Sequence, residues 1–349
     1  MRIAGAGSAF PQHVYDQQAI VSALKDFWGE RLQRPELLER LHARSGVERR
    51  HLVLPTEAYV GVDTWGKANS LWIEKAEELG NQAICRAITP LGIAPADIHA
   101  LYVASVTGIA SPSLDAKLIN RMGLSPNLKR VPIFGLGCVA GAAGIARAAD
   151  YVRAFPRQVA VVLCVELCSL TWRRDDISAA NLLSTGLFGD GAAAVVVAGA
   201  DTPFAGPQII DTRSVFYPDT EEVMGWDISE TGFRIVLSPD VPLVIKQHLR
   251  EDVDSFLSEH GLARKDISSW IIHTGGPKVL EAVQQTLELP EGALDASWDC
   301  LRRVGNLSSA SVLCVLQDFL ARRRGARGAY SVLAAMGPGF CSEVVLLKW

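Results

Sequence analysis

The chain reads as an α/β protein whose sheets are covered on both faces, and three observations predict it. Apolar, β-branched segments alternate with helical stretches along most of the length. The strand-like segments are continuously apolar, as in Val159-Ala160-Val161-Val162-Leu163, which places both faces against something other than water. The 349 residues are 49% hydrophobic and 21% charged, enough to bury a large core and to divide into two domain-sized units. In chain order, strands are predicted at 98–105, 158–166, 192–198, 270–273, 330–335 and 343–347, where β-branched and apolar residues cluster. Helices are predicted at 74–91, 142–153, 242–260 and 308–323, punctuated by Pro95, Pro156 and Gly261. The turn residues Gly199, Asp201, Pro203, Gly206 and Pro207 mark a boundary that divides the chain into 1–204 and 205–349. The halves echo each other faintly, each ending near a strand of small and β-branched residues, Ala192 to Val196 and Val332 to Met336.

Charge and composition exclude several functions. The 34 Lys+Arg and 38 Asp+Glu leave a net charge of −4 with no basic stripe, so nucleic acid is not an expected partner. The longest charge-free apolar stretch, Val131 to Ala146, contains four glycines and is shorter than the roughly 20 residues of a spanning helix. The N-terminus lacks the pattern of a signal peptide, and no membrane association and a cytoplasmic location are expected. Seven cysteines, none in a CxxC pair or beside histidines at zinc spacing, predict reduced thiols and no metal.

Three residues stand where an apolar core would not want them. Cys138 lies in Pro132-Ile133-Phe134-Gly135-Leu136-Gly137-Cys138-Val139-Ala140-Gly141, a strand passing through a Gly-rich turn into a helix. A helix N-terminus favours thiolate over thiol, and a thiolate is a nucleophile. His273 ends a buried strand before Thr274-Gly275-Gly276-Pro277, where α/β enzymes carry reactive groups. Asn306 precedes an apolar helix in Gly305-Asn306-Leu307-Ser308-Ser309. Taken singly, each has an ordinary reading: a free Cys as a small hydrophobe, a His as a hydrogen-bonded core residue, an Asn as an N-cap. Their conjunction is what points to chemistry.

The conjunction resembles a known family. GLGCVAG around Cys138, LFGDGAAAVVV at Leu187 to Val197, IIHTGGPKVLE at Ile271 to Glu281, GNLSSAS at Gly305 to Ser311 and MGPGF at Met336 to Phe340 look, in that order, like a type III polyketide synthase. The nearest rival, ketoacyl-acyl-carrier-protein synthase III, typically carries His-Gln-Ala-Asn where this chain has His273-Thr274-Gly275-Gly276. Met336 replaces the Phe usual before the Gly-Pro-Gly loop.

The resemblance implies the thiolase fold, two similar halves stacked as five αβαβα layers, in a homodimer. It implies that Cys138 takes an acyl group from coenzyme A, that His273 holds it as thiolate, and that His273 and Asn306 polarise the thioester carbonyl. Decarboxylative Claisen condensation with malonyl-CoA and closure to a pyrone or phenolic ring follow, with acyl-CoA and malonyl-CoA as substrates and no metal or redox cofactor. The alternative is a ketosynthase of the same fold joining chains carried on acyl carrier protein. By the same resemblance Phe188 is a gatekeeper, while Ile235 replaces the second gatekeeper Phe. Thr171, Gly225 and Ser308 shape the cavity, Ser111 reaches into the partner subunit's cavity, and Gly337-Pro338-Gly339 forms a loop at the site. Arg44, Arg49 and Arg50 match the region that contacts the CoA phosphates. Ile235 and Ser111 in place of bulkier groups imply a roomy cavity, and with it medium or long aliphatic starters and pyrone products.

Overall fold

The computed structural model describes residues 1–322 and 325–349. The first half contains strands β1 (Arg2–Ala9), β2 (His13–Asp16), β3 (Arg49–Leu52), β4 (Ala100–Ala104), β5 (Lys129–Ile133), β6 (Val159–Leu167) and β7 (Asp190–Ala198). Its helices are α1 (Gln17–Trp28), α2 (Pro35–Ala43), α3 (Trp65–Ile88), α4 (Leu114–Met122), α5 (Ala140–Ala154) and α6 (Ala179–Leu187). The second half contains β8 (Gln208–Phe216), β9 (Met224–Ser229), β10 (Gly232–Leu237), β11 (Ile267–Ile272), β12 (Tyr330–Gly337) and β13 (Cys341–Lys348). Helices α7 (Val241–Ser258), α8 (Pro277–Thr286), α9 (Asp295–Val304) and α10 (Ser311–Arg322) complete it.

Among the described residues nine strands run in the order β11-β12-β13-β8-β1-β7-β6-β4-β5. The two halves of this sheet meet where Arg2 of β1 pairs with Gln208 of β8. Alternation of side chains across a strand explains the continuous apolar runs. In β6, Val161, Leu163 and Val165 face an outer cluster with α3, while Ala160, Val162 and Cys164 face an inner one. The inner cluster brings α5 and α10 between the two halves of the sheet, since it joins Ala142, Ile145, Val312 and Leu316 to both Val195 of β7 and Leu333 of β12. A third cluster packs α7 and α8 on the outside of the second half, through Val253 and Leu280 against Val332 and Val344. The result is the five-layered thiolase fold that the resemblance implied.

The predicted strands and helices all have counterparts, with shifted ends. Helix α3 begins at Trp65 because Thr64 accepts from the Lys67 N–H at 3.3 Å and caps it. The helix expected at 308–323 starts with a 3-10 turn, Ser308–Ala310, and continues as α10, while Arg323 falls outside the described residues. Strand β1 carries no propensity signal, being built of Arg, Ile, Ala, Gly and Ser. Its small residues are required by packing: a Cβ on Gly7 would lie 2.5 Å from the Ala87 nitrogen of α3. No helix among the described residues is long and apolar enough to cross a membrane.

Candidate active site

Cys138, His273 and Asn306 come from three separate segments and line one cavity. Cys138 sits in the 3-10 turn Gly137–Val139 that leads into α5. Gly137 has φ +50°, and a Cβ there would lie 2.8 Å from the Pro338 ring. The Gly337-Pro338-Gly339 loop therefore presses on the turn that carries Cys138, while its neighbours Met336 and Phe340 form cavity wall. His273 follows β11, and its N–H donates to the Ala334 carbonyl of β12 at 3.0 Å, extending the parallel ladder by one residue. Asn306 is registered beside Phe188: its N–H donates to the Leu187 carbonyl at 2.9 Å and its carbonyl accepts from the Gly189 N–H at 3.0 Å. The Asn306 Oδ1 accepts from the Ser308 N–H at 2.8 Å and from the Ser311 hydroxyl at 3.3 Å, which turns the amide NH2 into the group left to act as donor.

The site is dry. Burial pushes the Cys138 thiol up to about 12, opposed by hydrogen bonding with Ser308, to whose Oγ the sulfur donates at 3.6 Å, and with Asn306. Burial likewise holds the His273 imidazolium down to about 3. No hydrogen bond joins the two, and neither ring nitrogen of His273 has a partner. Burial thus works against the thiolate–imidazolium pair that the resemblance implied. The helix start does favour an anion, but removal of the sulfur from water outweighs it. Below the cavity, Glu166 at the end of β6 is fully buried and raised to about 7 by burial. Its carboxylate accepts from the Val106 N–H at 3.1 Å, the Thr107 hydroxyl at 2.9 Å and the Ser309 hydroxyl. Sequence inspection passed over it because a single Glu inside an apolar strand has no motif around it.

The cavity measures about 30 Å³, space for little more than one water molecule. Apart from the catalytic candidates, Phe188, Met224, Leu237, Val241, Ile245 and Val279 close it. In this structure the space beside the three residues is narrow. Ile235 pairs with Trp226 and Gly225 with Val236 in the β9–β10 hairpin, and neither is on the cavity wall. Ser111 is exposed in the connection after β4. Thr171 lines a separate cleft of about 510 Å³ with Trp65, Trp172 and Phe233. Ser308 is the one of these residues that touches the nucleophile. A larger cleft of about 1040 Å³ beside β11, α7, α9 and α10 holds none of the candidates. The wall residues Met224 and Leu237 face each other across the hairpin, and only that pairing reveals them.

Of the three arginines assigned to phosphate, Arg44 and Arg49 are exposed. The segment of Arg44 borders the start of α8, because a Cβ on Gly46 would lie 3.0 Å from Pro277. Arg50 is corrected: it is fully buried, with Nη1 donating to the carbonyls of Thr185 at 2.5 Å and Phe188 at 2.7 Å, so no phosphate reaches it.

Comparison with known proteins agrees with this geometry. The model for the N-terminal domain of chalcone and stilbene synthases matches residues 2–202, and that for the C-terminal domain matches residues 208–349. A 1,3,6,8-tetrahydroxynaphthalene synthase of Streptomyces peucetius subsp. caesius is 50% identical, covering 99% of this chain and 93% of that protein. A putative chalcone synthase of Bacillus subtilis (strain 168) is 33% identical, with 99% and 98% covered. The crystal structure of 1,3,6,8-tetrahydroxynaphthalene synthase from Streptomyces coelicolor A3(2), a bacterial type III polyketide synthase, superposes with a TM-score of 0.94 at 32% identity, covering 100% of this chain and 99% of that one.

Proposed function

The chain belongs to the chalcone and stilbene synthase family and is a type III polyketide synthase, and from that premise we propose that it condenses malonyl-CoA on Cys138 and closes the chain to 1,3,6,8-tetrahydroxynaphthalene. The ten ring carbons of that product amount to five two-carbon units, what remains when five malonyl groups each lose one carboxyl as CO2. Malonyl-CoA then serves as starter as well as extender. The reading in which chains arrive on acyl carrier protein is not favoured.

One observation carries the catalytic assignment: His273 is 3% exposed and both its ring nitrogens lack a partner, on a cavity shared with the Cys138 thiol and the Asn306 amide. Buried polar atoms are ordinarily paired, so the missing partner is the reacting thioester. In the proposed sequence His273 accepts the Cys138 proton as the sulfur attacks the thioester carbonyl, and the proton leaves with the departing CoA thiol. A second malonyl-CoA then loses CO2. His273, now donating, and the Asn306 NH2 hold the enolate oxygen as its charge develops, worth on the order of 3 kcal/mol per donor. The enolate carbon attacks the Cys138 thioester, the C–S bond breaks, and the lengthened chain leaves on CoA to be reloaded.

Arg44, Arg49 and the exposed Lys278 beside Pro277 are proposed to meet the CoA phosphates, and Phe188 to stand between their entrance and the cavity. The nucleophile belongs to the proposed half 1–204, and His273 and Asn306 to 205–349. A homodimer is proposed through the sheet edge at β5, beside which Phe134 and Ile109 are exposed. Incubation of the purified protein with malonyl-CoA alone, followed by mass spectrometry, tests the reading. The expected product is 1,3,6,8-tetrahydroxynaphthalene, and a requirement for any C6 to C14 acyl-CoA starter would overturn the product assignment.

A further inference from the structure

We propose that Arg50 is a positioning residue for decarboxylation, holding the Asn306 segment and the Phe188 segment as one body. The proposal rests on the role given to Asn306 above. The guanidinium of Arg50 is fully buried, yet no carboxylate contacts it among the described residues. Its fork is spent on backbone and amide: Nη1 donates to the Thr185 and Phe188 carbonyls, and Nη2 to Gln17 Oε1 at 3.1 Å. Gln17 in turn donates to the Gly186 carbonyl at 2.7 Å and to Ser45 Oγ at 2.9 Å, so both groups grip the same stretch at the end of α6. The nearest carboxylate partner in charge, Asp190, is itself held by the Ser169 and Val53 N–H groups, each at 2.8 Å.

The stem of Arg50 does the other half of the task. A Cβ on Gly305 would lie 3.0 Å from Arg50 Cδ, and one on Gly189 would lie 3.6 Å from Arg50 Cγ. The arginine therefore runs along the glycines that flank Asn306 and Phe188, directly over the two hydrogen bonds joining those segments. A cation left without a carboxylate in a dry interior is costly, and a stabilising role alone would be served better by an apolar side chain. Its planar fork reaches two carbonyls and an amide oxygen at once, which the single ammonium of lysine cannot do. What this geometry fixes is the distance between the donor on Asn306 and the sulfur of Cys138, while Cys138 and His273 themselves rest on other elements, α5 and β11.

The prediction is a split between half-reactions. In Arg50→Met and Arg50→Lys, acylation of Cys138 should remain stoichiometric by intact-protein mass spectrometry. Decarboxylation of malonyl-CoA should fall about 100-fold in kcat with KM little changed, the size expected of a displacement near 1 Å. A double-mutant cycle isolates the route: in an Asn306→Ala background, Arg50→Met should cost almost nothing further in decarboxylation. Gln17→Leu, which removes one Arg50 partner without touching the guanidinium, keeps the test alive if the Arg50 variants do not fold, and should show the same split with a smaller loss. Equal losses in loading and decarboxylation in folded protein, or additive losses in the cycle, would overturn the proposal. Absence of decarboxylation in the wild type would sink the functional reading and this proposal together, an outcome distinct from either.

Discussion

Two short turns lie back to back at the centre of the molecule, and they differ in an instructive way. In the first half, the 3-10 turn Gly137–Val139 opens α5, and in the second, Ser308–Ala310 opens α10. Both helices lie in the central layer, and both turns begin with a left-handed residue, Gly137 at φ +50° and Ser308 at φ +47°. The backbone problem is the same in each, and the solutions are not. The first turn takes glycine because Pro338 occupies the space a side chain would need. The second tolerates serine because the Asn306 Oδ1 accepts the Ser308 N–H, an Asx-type bond that supports the strained conformation, and because the hydroxyl is wanted 3.6 Å from the Cys138 sulfur. One scaffold turn thus carries Cys138, and its counterpart carries polar groups beside it.

The comparison is broken most completely at the nucleophile. Cys138→Ala should leave the fold intact and lower turnover by about 10⁴-fold or more, as removal of a covalent nucleophile does. Intact-protein mass spectrometry should show no acyl adduct, and an adduct persisting on Cys164 or Cys168 would refute the assignment. Iodoacetamide should alkylate wild-type Cys138 faster as pH rises toward about 12, because burial favours the thiol. A plateau below pH 8 would show instead a resting thiolate.

Exchanging the residues at the two turns sharpens the contrast. Gly137→Ser should cost about 2–4 kcal/mol in urea unfolding, summing left-handed strain and the collision with Pro338. An unchanged midpoint would mean that the loop yields freely. The reciprocal change, Ser308→Gly, should shift stability by less than about 1 kcal/mol, because relief of strain is offset by the entropy of an added glycine. Its effect should instead be on Cys138: the Ser308 hydroxyl favours the thiolate, so alkylation at a fixed alkaline pH slows without it.

A pH-dependent effect lies beneath both turns, where the Ser309 hydroxyl binds Glu166. Burial raises Glu166 from 4.5 to about 7, so the native state holds a proton that the unfolded chain releases between those values. Stability from this group is full below pH 4.5 and lost as pH rises through 7. His273 and His42, lowered by burial from 6.5 to about 3, act in the opposite sense, since the native state binds fewer protons and stability falls as pH drops below 6.5. Glu166→Gln should therefore match wild type near pH 4 and exceed it above pH 7 by about 3 kcal/mol. Parallel stability curves for the two proteins would remove the raised carboxyl from the account.

The family, the layered α/β class and the three catalytic candidates were legible in the residues themselves. Continuous apolar runs reflect strands buried on both faces, and Cys138, His273 and Asn306 each lie in an ordered motif whose small neighbours serve local backbone geometry. Whatever depended on distant segments meeting was not legible. Arg50 looked like one of three surface cations, and only the return of Thr185 and Phe188 upon it makes it a buried clamp. Ile235 looked like a cavity residue, but Met224 and Leu237, one pair further along the β9–β10 hairpin, are on the wall instead. The effect of burial on Cys138 and His273 was not legible either. A helix start acts locally and can be read from sequence, whereas desolvation is set by every element that closes over the site, and here desolvation prevails.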